Sequence, residues 1–255
     1  MAARVAAIVL LASCTGVALA ADAKAMNQPH KPFQIYGNTY YVGTEGISSI
    51  LIVSDYGSVL IDGGYPESAR QIAANIATLG FKITDVKAIL SSHPHADHAG
   101  GIAELAKLSG AQVYASRAAE PVLLSGKPSK DDPQFKQLDA FPKIDRVWIV
   151  QDDQLLGVGN VRVRALATPG HTAGGMSWSW DACDGSKCLS AVFADSLSAV
   201  SDGKYKFKDH PDVLKSFDAS FTRLEGAACE LLVTAHPEAS GGLARLEQAG
   251  ASSSR

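Results

Sequence analysis

Ser91–Gly101 reads S-S-H-P-H-A-D-H-A-G-G, which packs three histidines and an aspartate into the six positions from His93 to His98. The whole chain holds only seven histidines. Pro94 disfavours the helical region for the residue before it and pushes His93 toward extended geometry. In extended chain, residues two apart point the same way, so His93 and His95 share a face. Asp97 and His98 fall where the chain turns into the next helix and can face another way. Imidazole and carboxylate donors at this spacing suit zinc, whose ligands are N, S and O donors. Alone, Asp97 would read as a helix N-cap and a histidine at a strand end as a satisfied polar residue. Four such residues in six positions, with Gly100-Gly101 behind them, read instead as two half-sites for metal.

The flanks give the motif its setting. The apolar run Asp85 to Leu90 predicts a strand leading into it, and a helix is expected from near Ala99. Upstream, G-N-T-Y-Y-V (37–42), S-I-L-I-V (49–53) and S-V-L-I (58–61) read as short strands broken by glycines. A helix follows Pro66, with Ala69, Ile72, Ala73, Ile76 and Leu79 on one face and Gly80 as its stop. Downstream, strands are expected over 112–115, 147–150, 161–166, 176–180, 191–194 and 230–234. A helix over 212–225 would turn Val213, Leu214, Phe217, Phe221 and Leu224 inward. Residues 21–30 read as a loose polar arm, and K-P-S-K-D-D-P (127–133) as a solvated loop. Strands dominate and helices punctuate them, which fits two packed sheets with helices outside.

The remaining histidines sharpen the metal reading. His171 lies in T-P-G-H-T and His236 in T-A-H-P, each just after an apolar strand, as the first cluster does. Loops at strand ends are where scaffolds gather functional groups. Asp195, in F-A-D-S-L-S, also follows a strand, whereas His30 and His210 share no such pattern and read as surface residues. Asp62, in L-I-D-G-G, either accepts a hydrogen bond from a ligand or simply forms the turn before two glycines.

H-x-H-x-D-H after a strand, G-H-T, A-D-S-L-S and a late A-H-P together resemble the metallo-β-lactamase superfamily, from about Asn38 to about Ala244. The chain is most similar to subclass B3. His98 stands where subclass B1 usually has an arginine, and D-S-L-S lacks the B1 cysteine ligand. The resemblance implies an α/β fold, a four-layer αββα sandwich with metals in a groove at one sheet edge. It implies two Zn2+ ions, one held by His93, His95 and His171, the other by Asp97, His98 and His236. The implied reaction is hydrolysis of the β-lactam amide of a small-molecule antibiotic by a metal-bound hydroxide, conferring resistance, with Asp97 as catalytic residue. Ser196 and Ser198 become candidates to hold the substrate carboxylate, or are plain loop serines. A glyoxalase II-like thioesterase or a lactonase is the rival, because many such enzymes bridge their metals with an aspartate that Asp195 could match. A non-catalytic zinc-binding protein is the other.

Residues 1–20 read as a secretory signal peptide, ending in Ala18-Leu19-Ala20, which leaves 21–255 as a single domain. Leu11-Ala12-Ser13-Cys14 also resembles a lipoprotein box. Export implies the periplasm or beyond, an oxidising setting in which Cys183 and Cys188, flanking the turn-like D-G-S-K, can form a local disulfide. Cys229 is then left over; family members usually run further, to a cysteine that would pair with it. The net charge of −3 gives no electrostatic case for a nucleic-acid partner or an anionic membrane. No membrane span and a monomer are expected.

Overall fold

The structure, a computed structural model, describes residues 23–253, so the signal-peptide and lipoprotein readings lie outside the described residues. Its first sheet joins β1 (Phe33–Tyr36), β2 (Thr39–Tyr41), β3 (Ile50–Ser54), β4 (Gly57–Ile61), β5 (Val86–Leu90), β6 (Gln112–Ser116) and β7 (Trp148–Val150) in chain order. The pairs from β1 to β4 are antiparallel and those from β4 to β7 parallel. Alternate residues on these strands serve two cores, as a period of two requires. Ile50, Ile52, Val59, Ile61 and Leu90 face the second sheet. Leu51, Leu60 and Ile89 face helices α2 (Ser68–Thr78) and α4 (Ile102–Ser109), meeting Ile72, Ile76, Ile102 and Leu105. With both faces buried, the strands read as unbroken apolar runs.

The second sheet has the order β12 (Leu231–Thr234), β11 (Lys187–Ala194), β10 (Met176–Asp184), β9 (Val161–Ala167) and β8 (Leu155–Val158). Trp178, Trp180, Phe193, Val163 and Val233 meet the first sheet across the shared core. Helix α6 (Pro211–Glu225) flanks this sheet; Phe217 is buried, and the Ser220 hydroxyl donates to the Pro169 carbonyl oxygen at 2.7 Å. Two sheets flanked by helices give the expected αββα sandwich.

Several details differ from the sequence reading. The arm is not loose: α1 (Ala23–Met26) opens it, and the Met26 carbonyl oxygen accepts from Gly46 N–H at 2.9 Å and from the Thr44 hydroxyl at 2.9 Å. Leu214 and Phe221 of α6 face solvent, because only a narrow stripe of that helix touches the sheet. His30 is a partly buried bridge between Glu45 and Glu247, and His210 stacks on Tyr205. Strands β1 and β8, α5 (Glu120–Ser125) and α7 (Leu243–Ser253) add to the expected elements. Strand β10 continues to Asp184 and β11 starts at Lys187, so Cys183 and Cys188 pair across the hairpin and form the expected disulfide. Cys229 is exposed and is the free cysteine among the described residues.

Candidate metal centre

The topology brings strand ends together. Strands β4 and β5 run parallel and stop in register at Ile61 and Leu90. In the second sheet β9, β11 and β12 share one direction, and β11 and β12 stop in register at Ala194 and Thr234. Two backbone bonds tie the sheets at this end: Met176 N–H to Ser92 O at 2.8 Å, and Ser48 N–H to Ala235 O at 2.9 Å. The loops leaving these strands carry Asp62, the His93–His98 motif, His171, Asp195 and His236.

After β5 the chain bends at Ser92 and again at His95, whose own backbone is extended (φ −95°, ψ 156°), and then forms α3 (Ala96–Ala99). Gly100 and Gly101 let this turn pack on the turn after β4. Gly63 N–H donates to His98 O at 2.8 Å, and Gly101 N–H to Gly64 O at 3.0 Å. A Cβ on Gly101 would stand 2.2 Å from the Gly63 oxygen, so the contact requires glycine.

Two sets of donors result. The ligating atoms of His93, His95 and His171 all lie within 4.8 Å of one another, and all three residues are buried. Beside them, His98 Nε2 stands 3.2 Å from Asp97 Oδ2 and 3.2 Å from His236 Nε2, and His236 Nε2 stands 3.5 Å from Asp97 Oδ2. Ligands about 2.0–2.1 Å from a tetrahedral zinc stand roughly 3.3 Å apart, so this second triangle has the size of a zinc face. The donors fit the metal that the sequence implies. His93 also joins Asp97 and His98 in a compact group, so the two sets adjoin.

The outward nitrogens of His93, His95, His171 and His236 have acceptors, which fixes which nitrogen faces inward. His93 Nδ1 meets Asp195 Oδ1 at 2.7 Å, His171 Nδ1 meets Ser198 O at 2.8 Å, and His236 Nδ1 meets Gly46 O at 3.2 Å. Each leaves Nε2 for a metal. His95 is reversed: its Nε2 meets Asp132 Oδ2 at 2.9 Å and leaves Nδ1. His98 Nδ1 stands 3.3 Å from Asp62 Oδ2. Asp62 itself accepts from Ser92 N–H at 2.7 Å and from the Ser92 hydroxyl at 2.6 Å.

The charges follow from burial and from each other. Burial and the imidazoles of His98, His95 and His171 hold His93 well below the usual histidine value, so its lone pair is free. Burial likewise lowers His171 and His236. Burial works to raise Asp97, but His98, His93 and His236 outweigh it and hold the carboxyl well below its usual range. Burial works to lower His98, yet Asp97 and Asp62 carry it up to about 10. Asp97 and His98 therefore form an ion pair that a divalent cation would replace. Burial pushes Asp195 up to about 6 and raises Asp62 as well.

Each expected ligand thus lies at one sheet end. Asp195 lies behind His93 rather than between the two sets. Ser196, next to Asp195 in the chain, is half-buried, and Ser198 offers His171 its carbonyl oxygen while its hydroxyl is 3.4 Å away. Asp132 and Gln134 belong to the site without having been expected there. Their only sequence signal is a long polar stretch, 127–133, in the loop that runs from α5 to β7.

Clustered histidines at the end of two facing sheets are the working parts of a metal-dependent hydrolase. The chain belongs to the metallo-β-lactamase superfamily: residues 42–185, more than half of it, match that family. Among solved structures, the Rm3 metallo-β-lactamase is 48% identical, with a TM-score of 0.88 over 91% of this chain and 87% of that one. MEM-A1, a subclass B3 metallo-β-lactamase isolated from a soil metagenome library, is 44% identical, with a TM-score of 0.86 over 90% and 88%. A hydroxyacylglutathione hydrolase of Rhodopseudomonas palustris (strain ATCC BAA-98 / CGA009) is 32% identical over 55% of this chain and 46% of its own length. The chain spans about half the length of the curated relatives it matches. Subclass B3 is what it most resembles.

Proposed function

We propose that this protein is a zinc-dependent β-lactamase that opens the β-lactam amide of penicillins, cephalosporins or carbapenems and so confers resistance. One observation carries this: two compact donor sets, His93/His95/His171 and Asp97/His98/His236, adjoin at one end of the sandwich. Two Zn2+ ions are assigned to them. Bound zinc supplies Lewis-acid polarisation of a carbonyl and lowers the pKa of a bound water to about 7.

The chain's own residues supply the rest. Asp97, kept ionised by its neighbours, is the catalytic carboxylate: it accepts a hydrogen bond from the attacking water and orients it. Water oxygen bonds to the lactam carbon, the carbon–nitrogen bond breaks, and a proton from that water ends on the nitrogen. Held well below its usual range, Asp97 is a poor proton store. Ser196 and Ser198 are assigned to the substrate carboxylate.

Placement of Asp195 favours this reading over a thioesterase or lactonase. An aspartate that bridges two metals must stand between the donor sets, and Asp195 is engaged by the outer nitrogen of His93 instead. Against that stands the hydroxyacylglutathione hydrolase likeness, so substrate class decides. We further assign residues 1–20 to a signal peptide, 21–255 to one monomeric domain, and the mature protein to the periplasm or outside. The disulfide suits that compartment, and no helix among the described residues is long and apolar enough to cross a membrane.

The test is to measure zinc content and then turnover of a penicillin, a carbapenem, a thioester and an acyl lactone, with and without EDTA. Lactam turnover abolished by EDTA is expected. Thioester or lactone hydrolysis without lactam turnover selects the rival, and a zinc-loaded protein inert to all four is a binding protein. Asp97→Ala is expected to lower zinc content toward one equivalent and to cut kcat at least 100-fold; unchanged turnover removes its assigned role.

A further inference from the structure

His95 differs from its neighbours in presenting Nδ1 inward, and the cause is Asp132. That aspartate lies on a loop without regular structure, yet its side chain is 8% exposed and the His95 side chain 5% exposed. Both carboxylate oxygens are used. Oδ2 meets His95 Nε2 at 2.9 Å, and Oδ1 accepts from Gln134 N–H at 2.8 Å. The Gln134 side-chain Nε2 stands 3.3 Å from His171 Nε2, the nitrogen that faces the metal position, so the same loop reaches the inner side of the first set, while Asp132 alone supports it from the outer side. The loop is fastened from outside by Asp202 N–H, which donates to Pro133 O at 2.8 Å. It also walls a cavity of about 300 Å³ lined by Pro94, Pro121, Lys127, Thr172 and Gly174.

We propose that Asp132 is a positioning residue: it fixes the His95 ring with Nδ1 inward and couples the groove-wall loop to metal held by His93, His95 and His171. The inference rests on the metal reading of that site. A metal on Nδ1 polarises the ring and makes the Nε2–H a stronger donor to the carboxylate. By linkage, whatever strengthens that bond on metal binding must also tighten metal binding when the loop is seated. The loop is thus part of the ligand sphere's support and not only a wall for substrate.

The experiment compares the mature wild-type protein with Asp132→Ala, Asp132→Asn and Asp131→Ala. Zinc affinity is read by competition with a chromophoric chelator, and loop order by hydrogen exchange over 127–137 with and without zinc. Wild type is expected to gain protection in the loop on zinc binding. Asp132→Ala is expected to lose roughly 10–100-fold in affinity for one zinc equivalent and to lose the loop response. Asp132→Asn, which keeps one acceptor in the same shape, lies between and serves if the alanine variant does not fold. Asp131→Ala removes the same charge from the exposed neighbouring residue and stays within twofold of wild type. Wild-type affinity in either Asp132 variant overturns the inference, as does an equal loss in Asp131→Ala. A wild-type protein that takes up no zinc removes the metal reading itself, a different failure from the first two.

Discussion

Asp62 shows what one side chain holds together. It sits at φ 58°, a left-handed conformation that aspartate and asparagine tolerate better than most residues. Fully buried, it accepts twice from Ser92 and stands beside His98. Asp62→Ala leaves the Ser92 amide and hydroxyl without an acceptor and places alanine at positive φ. We expect a loss of about 2–4 kcal/mol in urea unfolding with EDTA present, with Asp62→Asn losing less. Equal losses would mean that charge, not hydrogen bonding and backbone, is what matters. The site's residues were unevenly legible. His93, His95, Asp97 and His98 announce themselves because they are contiguous and chemically alike. Asp132 reaches His95 across 37 positions of sequence, from a stretch whose composition speaks only of solvent. Asp195 was visible as a polar residue after a strand, but which side of His93 it would occupy depends on the packing of two sheets.

Elements were legible where their apolar pattern was long. Strands β3, β4, β5 and β9 lie within a residue of where alternation or an apolar run places them. Strand β8 escaped because L-L-G-V is short and half exposed, and α7 because it follows two glycines in a polar stretch. The apolar pattern stops the β10–β11 hairpin short on both sides, yet the turn-like D-G-S-K and the oxidising compartment that export implies together predict its disulfide. That bond closes a loop of sequence separation 5. Replacing both cysteines by serine is expected to cost about 2 kcal/mol, a fall in Tm of roughly 4–8 °C; an unchanged Tm would show that the hairpin's own pairing suffices. Cys229 gives the pH test. Burial raises its thiol above the ordinary value of 9.0, against an opposing pull from Arg245. Below that pKa the thiol is protonated and unreactive, so iodoacetamide labelling of Cys229 should be slow at pH 7 and climb as pH passes 9. Fast labelling at pH 7 would contradict the shift.

For the whole molecule, the donors come from both sheets: His93, His95, Asp97 and His98 from the first, His171 and His236 from the second. A metal there cross-links the two halves of the sandwich. At free zinc about 100 times its Kd, folding stability should rise by about 2.7 kcal/mol, and Tm by roughly 5–10 °C, reversed by EDTA. A Tm indifferent to EDTA in a protein shown to bind zinc would mean that the unfolded chain binds it equally well. The sandwich itself was legible, since apolar strands with only a few helical patterns leave little else to build. Its pairing order was not, because four strands of similar composition could exchange neighbours without changing the sequence pattern.

The short arm before β1 has a practical meaning. Met26 holds Gly46, and Gly46 holds His236. An affinity tag, protease site or crystallisation trim placed against residue 23 therefore sits one relay from the chemistry. A laboratory preparation altered there can differ in zinc loading from one altered at the far end, and comparisons of activity between preparations should match their first residues.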